Sequence, residues 1–137
     1  MSIVFTGGGT AGSITSLLII AKKIREVDSE IPFHFVAPQN SIGGALVEKE
    51  NIIWHEITAA KLDRFLSVQN ILIPFKLFNA FIEAKKLLSS LDAKVVVSTG
   101  SFVSPPVVWA ARTIGIGIAV IQLDTVPGLA NKLMKLF

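Results

Sequence analysis

The chain has 137 residues, 51% apolar and 17% charged, with a net charge of +3, two histidines and no cysteine; its mean hydropathy is +0.63. That length supports one domain with a real core, and the missing cysteines exclude disulfides and thiolate chemistry. The apolar excess fits a parallel sheet covered on both faces, whose strands read as unbroken apolar runs, or a face covered by another domain or by lipid. Residues 14–21 and 114–123 fall short of the roughly 20 apolar residues that a membrane-spanning helix needs. No basic region precedes an apolar core at the N-terminus, so no signal peptide is expected. The positive charge is local: Lys61, Arg64, Lys76, Lys85 and Lys86 stand against Asp63 and Glu83. That is too sparse a stripe for nucleic acid but suits an anionic surface.

In chain order, Ile3-Val4-Phe5-Thr6 predicts a strand, followed by a glycine loop and a helix over residues 13–26. Leu17, Ile20, Ala21 and Ile24 recur in that helix at helical spacing. After a turn at residues 29–32, residues 33–37 read as a second strand closed by Pro38. A short helix over 45–50 follows Gly43-Gly44, and a third strand covers 52–57. Beyond a long connection, a helix over 74–89 has Pro74 at its first turn. A fourth strand spans 95–98, a helix 105–114 ends before Gly115, a fifth strand spans 116–122 and a final helix 127–136. This alternation implies right-handed crossovers and a doubly wound, Rossmann-like α/β sheet.

Two loops carry the chemistry. Thr6-Gly7-Gly8-Gly9-Thr10-Ala11-Gly12-Ser13 lies between the first strand and its helix, where bare backbone N–H groups receive an anion. It matches G-x-G-x-x-G, yet the second strand ends Val36-Ala37-Pro38-Gln39 without the carboxylate that a dinucleotide ribose requires. A dinucleotide-binding oxidoreductase is therefore the third reading. The second loop, Thr99-Gly100-Ser101-Phe102-Val103-Ser104-Pro105-Pro106, repeats the architecture. Ser101 and Ser104 either bind an anion or cap the helix, and Phe102 reads as a packing residue. Asp124 is the carboxylate at a strand's carboxyl end: a helix cap, an acceptor for a sugar hydroxyl, or a general base. His34 and His55 have no ligand-spaced partner and read as structural or exposed. No metal and no cofactor is expected. Ile71-Leu72-Ile73-Pro74-Phe75-Lys76-Leu77-Phe78-Asn79-Ala80-Phe81 carries more bulky apolar side chains than one buried helix face needs. Its surplus meets either a membrane, with lysines reaching lipid phosphate, or a partner domain.

Three segments carry a family resemblance: Thr6-Gly7-Gly8-Gly9-Thr10-Ala11-Gly12-Ser13-Ile14-Thr15, residues 98–112 beginning Ser98-Thr99-Gly100-Ser101, and Val126-Pro127-Gly128-Leu129-Ala130-Asn131. The chain resembles the N-terminal acceptor domain of the MurG-like UDP-N-acetylglucosamine transferases, within the two-domain GT-B class. The resemblance implies that residues 1–137 form one Rossmann-like half of a GT-B enzyme, truncated near its C-terminal end and lacking the donor-binding domain. It also implies inverting transfer of N-acetylglucosamine from UDP-N-acetylglucosamine to a lipid-linked polyprenyl-diphosphate sugar, at the inner face of the cell membrane. The partners implied are the UDP-sugar, the lipid-linked acceptor, an anionic membrane and a donor-binding domain in cis or as a separate chain. On the matching positions, Thr10, Ala11, Gly12, Gly100, Ser101, Asp124 and Asn131 contact substrate, while Ile71, Phe75, Lys76, Phe78 and Phe81 contact the membrane. Two departures stand out. The family histidine of the first loop is Ser13, and the usual His-Glu-Gln-Asn is Ile121-Gln122-Leu123-Asp124. The catalytic candidates are thus Asp124 and Ser13, and the alternative function is a non-catalytic, membrane-associated recruiting domain of a split transferase.

Overall fold

The computed structural model describes residues 1–8, 11–58, 73–122 and 129–134. Five strands, β1 (Ser2–Thr6), β2 (Phe33–Pro38), β3 (Ile53–Ile57), β4 (Ala93–Ser98) and β5 (Gly117–Val120), alternate with five helices. The helices are α1 (Ala11–Val27), α2 (Gly44–Lys49), α3 (Ile73–Ser90), α4 (Ser104–Thr113) and α5 (Leu129–Met134). All strand pairs are parallel, in the order β3-β2-β1-β4-β5. The chain therefore winds outward from β1 through β2 to β3. It then crosses back to lay β4 on the other side of β1. This reversal puts the topological switch point between β1 and β4, where open α/β sheets leave a crevice at the strands' carboxyl ends.

The period-two alternation of the strands sorts the core into two layers. On one side Phe5, Phe33, Phe35, Ala37 and Val97 pack with Ile14, Leu17 and Ala21 of α1 and Val47 of α2. On the other, Val4, Val36, Ile57 and Val96 pack with Ala84 and Leu88 of α3 and with Val107, Ala110 and Ala111 of α4. Every strand that packs inside the sheet needs apolar residues at both parities, which explains the composition.

The predicted boundaries move by one or two residues at most ends. The fifth strand is shorter than 116–122 because it is an edge, with Ile118 and Val120 exposed. Its pairing continues through one further bond, the Ile121 N–H to the Ser98 carbonyl at 2.7 Å. Gly115 has φ +75° just past α4, as a left-handed helix terminator does. One expectation fails: Phe102 is 44% exposed rather than packed, because the turn at Phe102-Val103 buries Val103 instead. The expected final helix is described only over Leu129–Met134. Among the described residues no helix is long and apolar enough to cross a membrane.

Candidate functional site

At the switch point the two glycine loops touch. The Thr99 N–H donates to the Thr6 carbonyl at 3.3 Å, joining the carboxyl ends of β1 and β4. A Cβ on Gly7 would lie 2.5 Å from the Thr99 hydroxyl oxygen and 3.2 Å from Leu17 Cδ1. Glycine at position 7 is thus what lets the loops close on each other. At Gly12, expected at the substrate, a side chain would meet nothing within 4 Å. Ala11 and Gly12 are exposed on the first turn of α1, while Ser13 is buried and has an interaction partner.

The second loop is held from above by α5. Gly100 has φ +82°, and a Cβ there would overlap the Asn131 amide oxygen and come within 3.1 Å of its Cγ. Only glycine tolerates both the left-handed backbone and that close approach. α5 is seated by the Trp109 indole N–H donating to the Leu133 carbonyl at 3.3 Å and by Met134, whose sulfur lies 3.9 Å from the Ser98 hydroxyl. Ser98 Oγ also accepts the Gly100 N–H at 3.1 Å. Ser101 works locally: its Oγ accepts the Val103 N–H at 3.3 Å and stands 3.5 Å from Ser104 Oγ. The expected capping role is not seen, since α4 has Val103 at its N-cap and no side-chain cap bond; the Ser101 contacts instead stabilise the turn before it.

This edge also gathers unpaired polar atoms. Among the described residues, the buried side-chain oxygens without a hydrogen-bond partner are Thr6 Oγ1, Thr99 Oγ1 and Asn131 Oδ1. Thr6 ends β1, Thr99 follows β4, and Asn131 lies on Gly100. Each such atom costs about 1–3 kcal/mol in a fold that could have placed an apolar group there. Their concentration at the switch point sets this edge apart from the apolar layers on either face of the sheet. Thr10 and Asp124 lie outside the described residues, as do Ile71, Lys61 and Arg64.

A second feature lies on α3. Ala80, Ala84 and Leu88 are buried, whereas Phe75 and Phe78 are 69% and 63% exposed and Lys76 stands between them in the exposed turn. Phe78 stacks on Phe81 with ring centroids 6.5 Å apart. Phe81, together with Trp109, Arg112 and Thr113, lines a cavity of about 380 Å³. The expected surplus of apolar side chains on this helix therefore faces outward.

Sequence reasoning missed one pairing. His34 on β2 and His55 on β3 are not isolated: His34 Nδ1 and His55 Nε2 are 3.1 Å apart. Burial, then the neighbouring imidazole, push His34 below the ordinary histidine value of 6.5; burial does the same to His55. The signal lies in parallel register, which sets residues 21 apart on adjacent strands and is invisible to short-range spacing.

The N-terminal domain profile of glycosyltransferase family 28 matches residues 3–137. Two relatives carry the name UDP-N-acetylglucosamine–N-acetylmuramyl-(pentapeptide) pyrophosphoryl-undecaprenol N-acetylglucosamine transferase. The one from Lachnoclostridium phytofermentans is 43% identical over 96% of this chain and 36% of its own length. The one from Clostridium novyi is 39% identical over 98% of this chain and 37% of its own. The chain thus spans little more than a third of the curated relatives it matches. In fold it is similar to the crystal structure of Acinetobacter baumannii MurG, with a TM-score of 0.80 at 22% identity over 98% of this chain and 38% of that one. It is also similar to a UDP-GlcNAc 2-epimerase from Neisseria meningitidis, with a TM-score of 0.66 at 13% identity over 99% of this chain and 38% of that one. The family match displaces the oxidoreductase reading, in keeping with the missing carboxylate after β2. With its glycine loops meeting at the switch point of a doubly wound sheet, the chain belongs to the glycosyltransferase family 28 N-terminal domains.

Proposed function

We propose that this chain is the acceptor-side half of an inverting glycosyltransferase that moves N-acetylglucosamine from UDP-N-acetylglucosamine to a lipid-linked, polyprenyl-diphosphate sugar. The observation that carries this reading is the set of buried, unpaired oxygens of Thr6, Thr99 and Asn131 around two glycine loops. Hydroxyl and amide groups so placed suit phosphate oxygens and sugar hydroxyls, and the backbone N–H groups opening α1 add anion affinity. In this reading Thr10, Ala11, Gly12, Gly100, Ser101 and Asn131 line the substrate. The acceptor hydroxyl oxygen attacks the anomeric carbon, the bond to the UDP oxygen breaks, and the electron pair leaves on the diphosphate. Asp124 takes the hydroxyl proton, since Ser13 is no base at neutral pH unaided; Ser13 instead supports the loop that faces the leaving group.

The donor is gripped by a second domain, in cis or as a separate chain, and residues 1–137 alone turn over slowly or not at all, because both substrates must be held together. Phe75 and Phe78, with Ile71 before them, enter the lipid interface while Lys76 meets anionic headgroups; Phe81, expected there too, is half-buried against the core and backs Phe78 from within. In this reading the protein works at the cytoplasmic face of the membrane. The second reading, a recruiting domain of a split transferase without its own chemistry, is favoured by the burial of Ser13 where the family carries a histidine.

The test is transfer to a polyprenyl-diphosphate sugar by the longest product of this gene, alone and with candidate C-terminal partner chains. Turnover that falls steeply in Asp124→Asn, with an altered pH–rate profile, supports the transferase with Asp124 as base. Turnover with an unchanged profile removes Asp124 from the chemistry. No turnover under any pairing, with vesicle binding intact, leaves the recruiting domain.

A further inference from the structure

Imidazole and thiolate are the protein ligands that best suit borderline divalent cations. This chain has two histidines and no cysteine, and the fold brings the two together. In the β2–β3 pairing His34 sits opposite Ile53 and His55 opposite Val36. Alternation of side chains along the strands then puts both rings on the sheet face that Val36 shares with α3. His34 Nδ1 lies 3.1 Å from His55 Nε2, with ring centroids 5.2 Å apart and planes inclined by 39°. Two imidazole nitrogens bound to one ion at about 2.0–2.1 Å stand roughly 2.9 Å apart at a right angle and about 3.4 Å apart at the tetrahedral angle. The observed separation falls inside that span.

We propose that His34 and His55 form a two-histidine site for a borderline divalent cation of the Zn²⁺, Ni²⁺ or Cu²⁺ class, which takes the place of the proton now between the rings as the donor imidazole shifts that proton to its other ring nitrogen. His34 is buried, whereas His55 lines an open groove of about 620 Å³ that also reaches Glu56, Glu83 and Lys86. Water from the groove supplies the remaining ligands. Glu83 is already committed, accepting the Thr58 N–H at 2.7 Å and the Thr58 hydroxyl at 2.9 Å. Among the described residues no group of three or more histidine, cysteine or carboxylate side chains is placed to hold a metal. The site is thus exchangeable, and hard cations such as Mg²⁺, which want oxygen ligands, are poorly served. A bound ion pins edge strand β3 to β2, so its effect is on stability, far from the glycine loops at the β1–β4 switch point.

The experiment uses the untagged 137-residue chain, stripped with chelator, and titrates ZnCl₂, NiCl₂ and MgCl₂ by calorimetry at pH 7.5. The expected result is one equivalent of Zn²⁺ or Ni²⁺, a binding heat nearly independent of the buffer because both imidazoles are already neutral at that pH, a raised unfolding midpoint and no Mg²⁺ binding. His55→Gln, at the groove's rim, lowers the affinity by about tenfold or more. With Cu²⁺, electron paramagnetic resonance shows hyperfine coupling to two nitrogens, and to fewer in His55→Gln. Absence of saturable binding, or binding unchanged in His55→Gln, overturns the site. His55→Gln decides the matter even where His34→Gln, in the buried layer, fails to fold. Because this assay involves no sugar, diphosphate or lipid, its outcome is independent of the transferase reading.

Discussion

Two regions break the usual rule of burial in opposite senses. At the β1–β4 switch point, polar atoms of Thr6, Thr99 and Asn131 are buried without partners. On the outer turn of α3, Phe75 and Phe78 are exposed. Elsewhere among the described residues the core keeps one apolar layer on each face of the sheet, and the other exposed apolar side chains, such as Val27 and Ile42, stand singly. Buried unpaired polar groups and exposed large apolar groups are the informative exceptions, because each costs stability that a purely structural sequence would recover. The first region lacks hydrogen-bonding partners and suits a polar ligand. The second lacks an apolar cover and suits a lipid surface.

The comparison breaks most severely at Gly100. Gly100→Ala adds left-handed strain and an overlap with Asn131, so it is expected to cost about 2–3 kcal/mol in urea unfolding. Combining it with Asn131→Ala returns part of that cost in a double-mutant cycle, as the overlap disappears and the strain remains. An additive pair would mean that Asn131 does not press on the loop.

Next in size is the lipid face. Phe75→Ser with Phe78→Ser removes the exposed rings, each worth up to about 1.5–3 kcal/mol on full burial. Binding to anionic vesicles is expected to fall at least tenfold while unfolding stability changes by no more than about 0.5 kcal/mol. A loss of stability instead of vesicle binding would assign these rings to packing.

The polar edge responds in the opposite direction. Thr6→Val and Thr99→Val replace unpaired hydroxyls with methyl groups of similar shape, so stability is expected to stay level or rise by up to about 1 kcal/mol. Binding of a sugar-diphosphate ligand, followed by amide shifts at Gly7 and Gly100, weakens in the same variants. A fall in stability with unaltered ligand binding would make the hydroxyls structural.

The smallest expected effect is the pH response of His34 and His55, measured with chelator present. Both values lie below 6.5 in the folded chain, so below that pH the unfolded chain binds more protons than the folded one. Stability is therefore complete above about pH 6.5 and declines as pH falls toward the folded values. Glu56, Glu83 and Lys86 are the charged groups that line the adjoining groove beside His55. Urea midpoints from pH 7.5 to 5 should drop in the parent and less in His55→Gln. Equal slopes would place the response elsewhere.

Much of this was legible from residue order. The apolar runs at Val4-Phe5, Phe35-Val36 and Val96-Val97, each followed by a turn and a helical pattern, determined the alternating elements and hence the doubly wound sheet, because β and α periods differ and parallel strands need crossovers. The surplus of phenylalanines on α3 was legible too, since a helix has one buried face. Tertiary structure decided the rest. That Gly7 meets Thr99, that Asn131 presses on Gly100, and that His34 faces His55 all follow from strand order and register. Those relations join residues far apart in sequence, and only the pairing of β1 with β4 and of β2 with β3 brings them within a few ångströms.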